Sequence, residues 1–209
     1  MNEIEIPSAS GRVPWNKGKL LGQKPLLKFR EVWTIRTRRH MTGNARELAL
    51  FNVAIDSKLR GCDLVRLKVS DVMQGDRVLP RAALIQQKTR QVVRIELTEQ
   101  TREAVSAWIM QAKLSADAYL FPSRQHDSPH LSTHQYGRIV KRWIALIGGD
   151  PQACGTHSLR RTKATLIYRK IRNLRAVQPF LDQAKIESTV RYLGIEVDDA
   201  LEMAERVEC

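Results

Sequence analysis

The chain has 209 residues, 43% hydrophobic and 27% charged, a composition that belongs to a folded protein and argues against a disordered one. Lys and Arg number 35 against 22 Asp and Glu, and the net charge of +13 favours a polyanionic partner, with nucleic acid first. No apolar run approaches the ~18 residues of a membrane span, and neither a signal-peptide core nor a paired or metal-type cysteine spacing (Cys62, Cys154, Cys209) is present, so the expected location is a reducing cytoplasm.

Residues 1–28 read as a basic, flexible extension, punctuated by Gly11, Pro14, Gly18, Gly22 and Pro25 and lacking apolar periodicity. From Met1 to His40 there are nine Lys and Arg against three Glu, and Arg12, Lys17, Lys19 and Lys24 are expected to touch DNA. Phe29 to His40 has helical spacing with Phe29, Val32 and Trp33 on one face, Ile35 adding little and Arg36 cutting the stripe short. Asn44 can cap a second helix running to about Ser57, with Leu48, Phe51 and Ile55 facing the core. Gly61 permits a turn or a close backbone approach, and Cys62 to Leu67 fits a turn or two of helix.

The period then changes. Ala83-Leu84-Ile85 and Val92 to Leu97 are strand-type runs on either side of the polar Gln87-Lys88-Thr89-Arg90, which predicts a hairpin with Lys88 and Arg90 at its tip. Helical spacing returns from Thr101 to Lys113, and Tyr119-Leu120-Phe121-Pro122 reads as a buried connector. Ser132 and Gln135 have capping-box spacing and open a helix toward Ile147, closed by Gly148-Gly149. Further helical pieces are expected at Ser158 to about Ile171, around Leu174 to Leu181, at Ile186 to Tyr192, and at Glu196 to Val207. The fold class is therefore mainly α with a small antiparallel sheet (α+β), a single domain over 29–209 ending in the helix 196–207.

Two groups of residues suggest chemistry. His126, His130 and His134 recur every fourth residue, but Pro129 and the turn residues Asp127-Ser128 interrupt any shared helix, so no metal site is expected. The second group is dispersed: Arg60 before Gly61, Lys88 at the hairpin tip, His157 and Arg160 three apart on one helix face, and Tyr192 before a change of direction at Gly194. An arginine fork beside a histidine suits a phosphate anion.

In this order and spacing the residues resemble the tyrosine recombinase (phage integrase) family over roughly 29–209. Lys58-Leu59-Arg60-Gly61-Cys62-Asp63-Leu64 looks like its first-arginine motif. Lys88-Thr89 before Val92 to Leu97 resembles its hairpin lysine. Thr156-His157-Ser158-Leu159-Arg160-Arg161-Thr162 resembles its His-x-x-Arg box, and Glu187 to Gly194 looks like the box around its nucleophile. The resemblance implies a catalytic-domain fold that breaks and rejoins DNA strands through a 3′-phosphotyrosine, with no cofactor. Tyr192 would be the nucleophile, Lys88 the general acid, Arg60 and Arg160 the phosphate clamps, and His157 a phosphate hydrogen-bond partner. Asp63 would orient its neighbours, and Arg90 and Arg161 would hold DNA. Double-stranded DNA is the implied partner. The protein would act as a homo-oligomer on it, with accessory DNA-bending proteins and no membrane, and the acidic last helix would dock on a neighbouring copy or on its own domain.

The sequence departs from the family pattern at its second histidine position, which reads Leu181-Asp182-Gln183. A Gln amide can donate a hydrogen bond but cannot carry a proton, and Asp182 adds negative charge beside a phosphate site. Reduced activity is the expectation, and the readings that stay open are a DNA-binding or regulatory relative and a DNA-relaxing enzyme of the same chemistry. Only about 28 residues precede the catalytic-type region, too few for the family's N-terminal helical domain, so weaker and more salt-sensitive DNA binding is expected.

Overall fold

The structure, a computed structural model, describes residues 24–124, 128–171, 173 and 175. Helix α1 (Phe29–Met41) starts where the Glu31 carboxylate accepts the Lys28 N–H at 2.8 Å and ends in Arg38, Arg39 and His40, charges that suit the two ends of the helix dipole. Its buried residues are Val32 and Ile35, whereas Phe29 is 63% and Trp33 41% exposed. The apolar face expected from the sequence is thus corrected: it keeps Val32, gains Ile35 and loses Phe29 and Trp33. The reason is a distant contact: Arg36 donates to Asn52 Oδ1 at 2.9 Å and lies over the Trp33 ring at 5.6 Å. That anchor turns Ile35 inward and leaves Phe29 and Trp33 to pack on each other.

Helix α2 (Ala45–Ser57) is the axle of the domain. Asn44 caps it by accepting the Glu47 N–H at 3.0 Å, and every residue from Ala49 to Ser57 is buried. The burial goes all the way round because α1, α5 (Glu99–Ala112) and α7 (Thr156–Ile171) all pack on it. A stripe of Leu48, Phe51 and Ile55 describes only one of those contacts. The Glu47 carboxylate, also buried, accepts from Arg39, Arg142 and the Trp143 indole. It thereby joins α1 and α2 to α6 (Thr133–Leu146), and Trp143 meets Phe51 edge-on at 5.2 Å.

Two short helices follow, α3 (Gly61–Leu64) and α4 (Val69–Val72). The strands form two antiparallel pairs where one was expected. The unforeseen pair, β1 (Met73–Gln74) with β2 (Arg77–Val78), turns at Gly75 with φ +60°, and two residues per strand leave no alternation to read. The expected hairpin is β3 (Arg81–Ile85) with β4 (Val92–Glu96), in the register Arg81 opposite Glu96 and Ile85 opposite Val92.

Leu120 and Phe121 are fully buried in the connector, where Trp108 Nε1 donates to the Leu120 carbonyl at 2.7 Å. Ser132 caps α6 as its spacing predicts, accepting the Gln135 N–H at 3.1 Å, and Gly148 leaves that helix with φ +75°. Helix α7 begins two residues earlier than the sequence suggests, at Thr156, because the Ser158 hydroxyl accepts the Gly155 N–H at 3.2 Å and closes an extra turn. Apart from Arg175, the segments expected at 174–181, 186–192 and 196–207 lie outside the described residues, as do Arg12, Lys17, Lys19 and His126. His134 opens α6, while His130 precedes it and packs on Tyr119 at 4.8 Å, so these two do not share a helix. Among the described residues no helix is long and apolar enough to cross a membrane.

Candidate phosphate-binding site

The C-terminal end of α2 sets the site. Lys58 adopts a left-handed conformation (φ 55°), which reverses the chain so that Arg60 can start α3. The carbonyl of Lys58 accepts Arg160 Nε from α7 at 2.7 Å. One turn further along α7, Lys163 Nζ meets Asp56 Oδ1 at 2.9 Å. Asp56 is only 2% exposed, and its second oxygen accepts the Thr98 N–H, the Thr98 hydroxyl and the Thr101 hydroxyl. Burial pushes this carboxyl up, but the Lys163 ammonium and the threonine hydroxyls outweigh it and hold the group below the usual carboxylate range. These contacts fix the rotation and height of α7 against α2 and α5. Neither Asp56 nor Lys163 is apparent as a site-building pair in sequence, since 107 positions separate them.

Arg60, on the other side of the junction, donates its guanidinium to Gln86 Oε1, which also accepts the Thr89 hydroxyl at 2.9 Å. Gln86 is buried. The inward alternation Ala82, Leu84, Gln86 along β3 and its extension is the signal that could have found it: a polar side chain at a core-facing strand position needs a partner. Asp63 Oδ1 accepts the Gln87 N–H at 3.0 Å, tying α3 to the base of the hairpin turn. Its other oxygen is buried without a hydrogen-bond partner among the described residues. The turn closes through Gln86 N–H to Gln91 O and Arg90 N–H to Gln86 O, each 2.9 Å, with Arg90 left-handed at φ 57°. Lys88 and Arg90 are therefore exposed at the tip, as their positions in sequence predict.

The starts of α3 and α7 meet over α6. A Cβ on Gly61 would touch the Tyr136 ring at 3.4 Å and Thr156 at 4.0 Å, so the backbone does approach closely there, within ordinary contact distance. Tyr136 is buried, and burial pushes its phenol well above the usual tyrosine value, which removes it as a nucleophile. His157 lies in the first turn of α7 and reaches solvent. Burial by its neighbours, then the charges of Arg160, Arg161, Arg60 and Lys24, hold its imidazole below the usual histidine value. The ring is neutral at pH 7 and able to donate one hydrogen bond while its other nitrogen accepts. Lys24 reaches this end of the domain by donating to the Gln152 carbonyl at 3.0 Å, and Arg161 donates to the Lys24 carbonyl at 3.3 Å.

The structure thus brings together Arg60, Arg160, Arg161, Lys24 and His157, with Asp63 behind them and Lys88 and Arg90 on the adjoining hairpin. Gln183 and Tyr192 lie outside the described residues. Several cations around one neutral imidazole form a place for a phosphate, where guanidinium forks and an imidazole N–H can share the non-bridging oxygens. Among the described residues no group of three or more His, Cys, Asp or Glu is placed to hold a metal ion.

The model of the phage integrase family matches residues 27–197. The probable integrase/recombinase YoeC of Bacillus subtilis is 29% identical over 155 residues, 74% of this chain and 81% of that protein. The tyrosine recombinase XerC of Erythrobacter litoralis is 30% identical over 154 residues, 72% of this chain but 47% of the relative. The chain therefore spans most of one curated relative and about half of the other. Among solved structures, XerA recombinase superposes with a TM-score of 0.69 at 20% identity, over 93% of this chain and 68% of that one. XerH recombinase in a post-cleavage complex with its palindromic difH substrate gives 0.67 at 19% identity, over 88% and 53%. At those identities the structural likeness speaks for the fold.

Proposed function

Since this chain belongs to the phage integrase family, we propose that it is a site-specific DNA recombinase that cuts and rejoins strands through a phosphotyrosine. The phenolic oxygen of Tyr192 attacks the scissile phosphorus, the P–O5′ bond breaks, and a proton from Lys88 goes to the departing 5′ oxygen. Arg60 and Arg160 hold the non-bridging oxygens, and His157 adds a hydrogen bond to one of them. The phosphodiester is traded for a phosphotyrosine of similar energy, so the reverse attack by a 5′ hydroxyl reseals DNA without a nucleotide cofactor. A phenol has a pKa near 10, and the cations around the phosphate favour its ionised form at the moment of attack. Assembly of several copies on the duplex, with bending partners, belongs to the same proposal.

The observation that carries this reading is the convergence of Arg60 from α3 with His157 and Arg160 from α7, whose charges act on one imidazole. Its test is a nicked suicide duplex carrying the cognate site. A covalent adduct that forms with the wild type and is absent from Tyr192→Phe is the expected result.

A second reading, reduced strand exchange in a DNA-binding or regulatory role, is favoured by Asp182 and Gln183. If Gln183 limits the chemistry, Gln183→His raises the adduct rate severalfold. An unchanged or lower rate removes Gln183 as the cause.

A further inference from the structure

A second group of arginines lies at the opposite end of α2 from the site above. Arg46, Arg124, Arg138 and Arg142 line one cleft of about 310 Å³, together with Glu47 and Gln135. Another cleft, of about 430 Å³, shares Arg46 and Arg124. Arg46 is only 7% exposed. It donates to the Pro122 carbonyl at 2.8 Å and so steadies the connector that carries Arg124. The one carboxylate in the cleft, Glu47, is already taken by Arg39, Arg142 and the Trp143 indole. Among the described residues Arg46, Arg124 and Arg138 form no ion pair.

This arrangement works against stability. Arg46 stands in the first turn of α2, where the helix dipole disfavours a cation. Burial and the Arg124 charge lower its pKa, with Glu47 opposing them. Helix α6 carries Arg138, Lys141 and Arg142 and no acidic residue, and Arg138 and Arg142 repel each other at i, i+4. A bound anion would relieve all three costs. From Arg46 to Ser57 the helix rises roughly 17 Å, the length of about five base-pair steps at 3.4 Å.

We propose that this cleft is a second phosphate site, which grips the DNA backbone away from the strand being cut, with the buried Arg46 as its floor and the exposed Arg124, Arg138 and Arg142 as its rim. It rests on the recombinase reading only in requiring that the chain meets duplex DNA. Phosphate contacts of this kind set affinity and register without reading sequence.

The test uses the full chain and an arbitrary duplex, with binding measured across salt. Arg124→Gln with Arg138→Gln changes exposed side chains and leaves the buried Arg46 in place. The proposal expects the slope of log affinity against log salt to shrink by about 2 and affinity at 0.1 M salt to fall roughly sixty-fold. A charge-matched control, Arg30→Gln with Arg77→Gln, lies outside the cleft and should lose much less. Equal losses in the two pairs show a net-charge effect and overturn the site, as does an unchanged slope in the first pair. Titration with inorganic pyrophosphate separates the source of the anion. Loss of pyrophosphate binding with DNA binding intact overturns the assignment to the backbone. Absence of DNA binding by the wild type counts against the recombinase reading itself. Binding without a Tyr192 adduct counts against strand exchange and leaves this site standing.

Discussion

Replacing Lys163 by Met keeps the aliphatic stem that packs between α7 and α2 and removes only the ammonium. Asp56 would then be a carboxylate at 2% exposure held by one backbone N–H and two threonine hydroxyls. Breaking a buried ion pair from one side costs about 3–5 kcal/mol. Lys163 keeps 23% of its side chain exposed and the threonines remain, so about 2–3 kcal/mol is the reasoned figure. With a urea slope of about 2 kcal/mol per molar, the unfolding midpoint should fall by about 1–1.5 M. The pH dependence sharpens the test. Asp56 titrates below its unfolded value, so its contribution is fully present above the unfolded carboxylate pKa of about 4 and is lost as pH falls through the folded value. The ammonium compensates a charge that acid removes, so the gap between wild type and Lys163→Met should be widest near neutrality and close as the pH falls through the lowered folded value of Asp56. A loss below about 1 kcal/mol, or a gap that does not change with pH, would refute the claim that this pair fixes α7.

Two further outcomes follow from the same geometry. In the free protein the His157 imidazole should titrate below about 6.5 by NMR. Its folded value is lowered, so protonation opposes folding as pH falls below the unfolded value. Arg60→Ala should move the titration upward, and a bound phosphate should do so more strongly; an upward shift in the free wild type would contradict the cluster. Gln86→Leu removes the acceptor that aims Arg60. A hydrogen bond to a charged group is worth about 1.5–3 kcal/mol, so adduct rates should fall tenfold or more, with Gln86→Glu retaining most activity; equal rates in Gln86→Leu would mean that Arg60 is aimed by other contacts.

The parts of the fold legible in sequence are those specified by neighbouring residues. Asn44 and Ser132 cap the helices that their spacing announces, and the β3–β4 hairpin forms where the period changes to two. What escaped depends on partners far along the chain. The face of α1 is set by Arg36 reaching Asn52, the burial of α2 on all sides by three separate helices, and the placement of α7 by Asp56. The site divides in the same way. Arg60, His157 and Arg160 stand out by motif and do converge, whereas Gln86 and Lys163, which hold two of them in place, look in sequence like an ordinary strand end and an ordinary helix lysine.

The central claim is strand cleavage at a phosphate held by Arg60, His157 and Arg160, with Tyr192 as the nucleophile. The most direct measurement is the mass of the protein–DNA adduct formed on a nicked suicide duplex, followed by peptide mapping. The account predicts a 3′-phosphoryl link on Tyr192 that is absent from Tyr192→Phe and strongly reduced in Arg160→Ala. An adduct on another residue, or cleavage that persists in Tyr192→Phe, would contradict it.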